Sequence, residues 1–163
     1  MLLKEMTNGG SRVETHPIQL EEIRREIAHT IQILPTPLGE ELGNFNCVML
    51  ALDLVGCLGE PCSPLGRFYA DTAFLQSLIR ESNTKECEAK AGALVVWRVG
   101  DTIKHVGTAV APGRAASKWG IGHVYEHGLL DVPTSYGETI NFYDPIESEH
   151  AFDHLKLHFN RRN

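Results

Sequence analysis

The chain has 163 residues, of which 15 are Lys or Arg and 21 are Asp or Glu, so its formal net charge is −6. This length suits one domain with a core of its own, and the acidic balance argues against a protein that coats nucleic acid, because phosphate binding needs a basic face. No apolar run approaches the ~20 residues of a membrane helix, and the N-terminal segment lacks the features of a signal peptide, so we expect a cytoplasmic protein that binds no membrane.

The first half of the chain has helical periodicity. Residues 1–16 are polar and predict a flexible N-terminal arm, followed by a single domain over residues 17–163. A helix that ends before Pro35 is predicted by apolar residues three and four apart, namely Leu20, Ile23, Ile27 and Ile31. Residues 48–55 are almost uniformly apolar and predict a buried helix. Asp71 is a typical N-cap for a third helix.

The second half of the chain has the pattern of short strands. Four segments predict strands, the first two joined by a Gly-Asp turn into a hairpin: residues 93–99, 104–111, 115–119 and 139–143. Residues 123–133 fit no single element, and residues 148–159 predict a terminal helix. Helices followed by an antiparallel sheet predict an α+β domain.

The four cysteines, at positions 47, 57, 62 and 87, have no regular spacing. In a chain without a secretory signal they are expected to be free thiols rather than disulfides. Cys47 is the candidate nucleophile, because it begins the predicted buried helix, where free N–H groups and the helix dipole stabilise a thiolate. The alternative is that Cys47 is a small core residue.

His105 is the candidate base. It starts the second strand of the hairpin, where its ring can face a helix N-terminus, and imidazole is the usual base for a cysteine nucleophile. We therefore expect a ring nitrogen of His105 within hydrogen-bonding reach of the Cys47 thiol. A third polar group must orient the ring, and Ser117 is favoured because it lies on the neighbouring strand. Lys118 is a poor choice for that role, since an ammonium accepts no hydrogen bond from the ring.

The remaining histidines predict no metal site, and we expect no cofactor. His150, His154 and His158 are four residues apart, but no cysteine or acidic residue is spaced to complete a zinc site, so a solvated helix face is favoured. Glycines flank His123 and His127 and argue against a regular helix that would bring their rings together.

Five short motifs follow one another along residues 44–143. They are Asn46-Cys47 before an apolar helix, His105-Val106-Gly107 in a strand, Ser117-Lys118-Trp119-Gly120, Glu126-His127 and Tyr136-Gly137. This order resembles that of papain-like cysteine hydrolases of the NlpC and CHAP type. It is more similar still to an uncharacterised subgroup of that kind, in which motifs of these types follow one another in the same order.

The resemblance implies a papain-like fold, with N-terminal helices packed on an antiparallel sheet. It also implies a hydrolase that cleaves a peptide or amide substrate through a thiolate–imidazolium pair of Cys47 and His105. The third residue of typical members lies where this chain has Ser117, and the subgroup favours His127, for which the alternative is a surface-loop histidine. Two other functions stay open: a catalytically inactive papain-like binding module, and a toxin or effector domain with the same fold.

Overall fold

The structure, a computed structural model, describes residues 13–26, 29–57 and 68–161. They form four α-helices and six β-strands: α1 (His16–Glu26), β1 (Gln32–Leu34), α2 (Cys47–Ala51), α3 (Thr72–Glu81), β2 (Leu94–Val99), β3 (Thr102–Ala111), β4 (Arg114–Lys118), β5 (Val124–Gly128), β6 (Thr139–Tyr143) and α4 (Ser148–Asn160). The predicted α+β class is confirmed. No helix within these ranges is both long and apolar enough to cross a membrane.

The six strands form one sheet in the order β1-β5-β4-β3-β2-β6, and every neighbouring pair is antiparallel. In the β2–β3 hairpin, Trp97 pairs with His105 and a bulge follows Trp97. The register of β3 with β4 begins at Thr108 and Ala116. Val106 therefore lies two residues before Thr108, outside the part of β3 that pairs with β4.

The two faces of the sheet bury different cores. The face that carries Val106 packs against α2, α3 and α4 in a cluster that includes Phe45, Met49, Leu75 and Leu155. The opposite face buries Trp97 and Ala115, with Trp119 and Tyr125 against α1. Since successive side chains of a strand alternate between faces, His105 lies on this opposite face, where the Trp97 ring is its neighbour.

Three predicted elements differ from the structure. The helix predicted through Ile31 ends at Glu26 within the described residues, and Gln32–Leu34 is a strand that pairs with β5. The predicted buried helix has only five residues, because Asp53 turns the backbone to φ 53°. The segment that fitted no single element contains β5. The first twelve residues, Ile27 and Cys62 lie outside the described residues.

The predicted N-cap of the third helix is confirmed. The side chain of Asp71 accepts a hydrogen bond from the backbone N–H of Phe74 at 2.7 Å. α1 begins at His16, whose side chain is buried. In α4, His150 contacts Ser82 of α3 at 2.8 Å, and His154 lies 3.5 Å from Glu81. The predicted solvated face of α4 thus contacts α3 in part.

Candidate functional site

Asn46 fixes Cys47 at the first residue of α2. The Asn46 side-chain oxygen accepts a hydrogen bond from the backbone N–H of Met49 at 3.0 Å. Its amide nitrogen donates to the carbonyl of Ala70 at 2.7 Å. Such an N-cap satisfies one of the free N–H groups of the helix. Because the same side chain also ties α2 to the segment before α3, the position of the next residue, Cys47, is set by both contacts.

The Cys47 thiol lies against strand β3. The backbone N–H groups of Val106, of Val48 and of Cys47 itself lie close enough to favour its charged form. Val106 follows His105 directly in the chain, so the thiol meets β3 at the residue next to the candidate base. The charge of Cys47 also acts on Tyr136, whose ring stacks on His105. A direct bond between the thiol and the His105 ring stays a prediction.

Burial raises the pKa of the Cys47 thiol above its ordinary value. The three N–H groups and the charge of Lys118 act in the opposite direction, but burial has the larger effect. The sequence led us to expect a thiolate stabilised by the helix N-terminus. In the structure the neutral thiol is favoured instead, because removing the sulfur from water disfavours its charged form.

His105, Ser117 and His127 form one buried chain of hydrogen bonds. Nε2 of His105 lies 2.9 Å from Oγ of Ser117, and the same oxygen lies 2.8 Å from Nε2 of His127. Nδ1 of His127 lies 2.8 Å from the carbonyl oxygen of Gly128. The indole N–H of Trp119 donates to the Ser117 hydroxyl at 3.1 Å. Ser117 and His127 were alternative candidates in the sequence, and the structure places both behind His105.

The last hydrogen bond of this series, from His127 to Gly128, determines where the protons of the series lie. A carbonyl only accepts, so Nδ1 of His127 carries a proton, and burial, which lowers the pKa of His127, keeps its Nε2 unprotonated. The Ser117 hydroxyl therefore donates to His127. Its two lone pairs are left for the N–H of Trp119 and for Nε2–H of His105. His105 is then the tautomer whose lone pair is on Nδ1, the form required of a base at that nitrogen.

Aromatic rings enclose His105 on the face of the sheet that buries Trp97 and Ala115. The Tyr136 ring stacks on it at a centroid distance of 3.9 Å and an interplanar angle of 14°. The Trp97 ring lies 5.3 Å away. Burial, reinforced by the nearby His127, lowers the pKa of His105 well below its ordinary value. His105 is therefore neutral at neutral pH, and the expected thiolate–imidazolium pair is not the favoured resting state.

His127 is not a surface-loop histidine. It lies in β5, opposite Ala115 of β4, and its side chain is buried. His123, four residues earlier, contacts the carbonyl of Val13 at 3.2 Å and belongs to the α1 side of the sheet. His123 lies just before β5, whereas the register of β5 places His127 opposite Ala115 of β4, within reach of Ser117.

Lys118 is the residue of this site that the sequence analysis set aside. Its side chain is only 1% exposed. Its ammonium donates to the carbonyls of Gly120 at 2.8 Å and Gly122 at 3.0 Å. Burial lowers the pKa of Lys118 to about 8, and the charge of Cys47 opposes that decrease. The signal in the sequence was its place between Ser117 and Trp119, where strand alternation sends its side chain to the helix-side core.

Comparison of the chain with protein-family models, with curated proteins and with solved structures finds no match. The geometry of the site therefore carries the functional proposal.

Proposed function

We propose that the protein is a papain-like cysteine hydrolase that cleaves an amide or peptide bond, with Cys47 as nucleophile and His105 as base. The observation that carries this proposal is the hydrogen-bond chain behind His105. It directs Nε2–H toward Ser117 and leaves the lone pair on Nδ1. The backbone N–H of Val106, the next residue of that strand, favours the charged form of the Cys47 thiol. A nucleophile, a base and a group that orients the base are the parts that this chemistry needs.

The reaction starts from a neutral pair. Nδ1 of His105 takes the thiol proton as the Cys47 sulfur attacks the substrate carbonyl carbon. The imidazolium then gives this proton to the leaving amine, and a thioester remains on Cys47. A water molecule, deprotonated by the same nitrogen, hydrolyses the thioester. His105 keeps its Nε2–H bond to Ser117 throughout. Its ring therefore does not have to rotate when Nδ1 gains a proton.

The start of α2 supplies donors for the negative charge of the tetrahedral intermediate. The backbone N–H of Cys47 is one of the free N–H groups at this helix start, so it is the first candidate donor to the oxyanion. The layout also supports the papain-like proposal. A helix that begins with the cysteine packs on an antiparallel sheet whose hairpin carries the histidine.

One observation favours a second function, a papain-like binding module without catalysis. The raised pKa of Cys47 and the lowered pKa of His105 both disfavour the charged pair that many thiol hydrolases use at rest. In that case the buried chain would serve only to stabilise the sheet. The two functions differ in whether Cys47 accepts an acyl group.

Acyl transfer from p-nitrophenyl acetate separates the two functions. Intact-mass and peptide analysis should find the acetyl group on Cys47, and its formation should slow in His105→Gln and vanish in Cys47→Ala. Cys87 is an internal control, since it is a half-buried free thiol whose polar neighbours are Lys90 and Asp144. Equal acetylation of Cys47 and Cys87, or no effect of His105→Gln, would remove the hydrolase proposal. A panel of amide and peptide substrates then identifies what is cleaved.

A further inference from the structure

Lys118 is a buried cation with no carboxylate partner in the part of the chain that the structure describes. Among the residues that the structure describes, no Asp or Glu lies within ion-pair distance of its ammonium. Two carbonyl oxygens, from Gly120 and Gly122, accept its hydrogen bonds. Carbonyls satisfy the N–H groups but carry no full charge. A buried charge is costly unless it is paired. The question is therefore which anion the Lys118 ammonium stabilises.

The position of Lys118 points to Cys47. Lys118 lies on the helix side of β4, the opposite side from Ser117, and pairs across the sheet with Val124. Its ammonium is 5.2 Å from the centroid of the Phe45 ring, two residues before Cys47. The charges of Cys47 and Lys118 act on each other. Among the described residues, the charge of Cys47 also acts on Tyr136.

We propose that Lys118 is the electrostatic partner of Cys47: its buried ammonium stabilises the thiolate that forms when His105 takes the thiol proton. This inference rests on the proposed function, since it assigns a role in the same reaction. Ser117 and Lys118 are adjacent in β4 and point to opposite faces. Ser117 therefore orients the base, His105, and Lys118 stabilises the thiolate of the nucleophile, Cys47. In a low-dielectric environment such a charge acts over several ångströms without direct contact.

The alternative role for Lys118 is structural. Its bonds to Gly120 and Gly122 hold the turn between β4 and β5, and losing them would change stability alone. The two roles differ in their effect on the charge of Cys47. A protonated Lys118 lowers the pH at which the Cys47 thiolate forms, and it attracts an anionic reagent to the sulfur. A structural lysine does neither.

Alkylation of Cys47 measures both effects and needs no turnover. Rates with iodoacetamide (neutral) and iodoacetate (anionic) are measured at Cys47 by peptide mass spectrometry, from about pH 6 to about pH 9. Lys118→Met should raise the pH midpoint of alkylation by about one unit, which slows the reaction at neutral pH roughly tenfold. It should also lower the ratio of iodoacetate to iodoacetamide rates. The surface variant Lys156→Met is the charge control and should leave both quantities unchanged.

The results have distinct meanings. A folded Lys118→Met protein with an unchanged midpoint and an unchanged ratio overturns the role of Lys118. A change in both, without acyl transfer to Cys47 in the wild-type protein, supports Lys118 and removes the hydrolase. If Lys118→Met does not fold, the wild-type protein is alkylated to completion with either reagent. NMR of labelled lysine should then find a higher pKa for Lys118 next to the carboxymethyl anion than next to the neutral adduct. Equal values would overturn the proposal.

Discussion

The hydroxyl of Ser117 lies 2.9 Å from Nε2 of His105. A hydroxyl can donate or accept, so this contact alone leaves the His105 tautomer open. The next contact settles it, because His127 takes the Ser117 proton and is itself fixed by the carbonyl of Gly128. In the proposed mechanism, Ser117 with His127 behind it takes the orienting role that a carboxylate or amide has in other triads.

Ser117→Ala should impair both catalysis and stability. The variant removes the partner of three buried atoms, Nε2 of His105, the indole nitrogen of Trp119 and Nε2 of His127. Each unsatisfied group costs about 1–3 kcal/mol. Acyl transfer from p-nitrophenyl acetate should fall on the order of a hundredfold, because His105 is no longer held in one tautomer. The control is Ser77→Ala, which removes only an exposed bond to Glu81. Full activity of a Ser117→Ala protein with a lower melting temperature would restrict Ser117 to a structural role.

His127→Gln should retain more acyl transfer than His127→Ala. A glutamine offers an oxygen to accept from Ser117 and an amide group to donate to Gly128, whereas alanine offers neither. Because His127 is buried, both variants should also unfold at a lower temperature, and the loss should be larger for alanine. The comparison therefore uses kcat measured well below both melting temperatures. Equal kcat in the two variants would contradict a positioning role for His127.

Gly107→Ala should separate β3 from β4 at the site. A Cβ atom at position 107 would lie 2.6 Å from the carbonyl oxygen of Ala116 and 2.8 Å from Cβ of Ser117. Since Ser117 must then move away from His105, we expect lower activity together with a lower melting temperature. Gly43→Ala is the matched control, because a Cβ there meets no atom within 4 Å. Wild-type activity of Gly107→Ala would show that the spacing of these strands does not set the site.

Acid should destabilise the protein through the buried histidines. The folded pKa values of His105 and His127 are lowered, in each case chiefly by burial. The unfolded chain therefore binds more protons below its ordinary histidine pKa of ~6.5. Stability should be complete above that pH and should decrease as the pH falls toward the folded values. Each histidine adds a slope of up to ~1.4 kcal/mol per pH unit.

Urea unfolding from about pH 7.5 down to about pH 5 measures this slope. The slope should be shallower in His105→Gln, because glutamine does not titrate. His16 and His154 also have lowered pKa values and keep part of the dependence in that variant. An identical slope in wild type and His105→Gln would contradict a buried, neutral His105.

The sequence predicted the elements whose pattern is local. The hairpin of β2 and β3 follows from alternating apolar residues around a Gly-Asp turn, and β6 has the predicted bounds. Asp71 and Asn46 cap their helices because their side chains bond to N–H groups three residues on. Cys47 and His105 were chosen by residue type and order, and the structure places the thiol one residue from His105 in β3.

Elements that form by pairing of segments far apart in the sequence were not predicted. β1 is three residues long and pairs with β5, at least 90 positions later. The apolar spacing just before it therefore predicted a helix. Cys47 is half-buried, and the burial that raises the pKa of its thiol was also not visible in the sequence. Lys118 was judged only as an orienter of His105, because nothing local shows that a lysine ammonium is buried beside a turn.

The tautomer of His105 in solution tests the central claim most directly. NMR of protein labelled with ¹⁵N-histidine distinguishes protonated from unprotonated ring nitrogens, and His105→Gln and His127→Gln assign the two signals. At neutral pH we predict a neutral His105 with its proton on Nε2 and its lone pair on Nδ1, and a neutral His127 with its proton on Nδ1. A His105 ring protonated at Nδ1 alone would have no lone pair for the Cys47 proton, and that result would contradict the proposed mechanism.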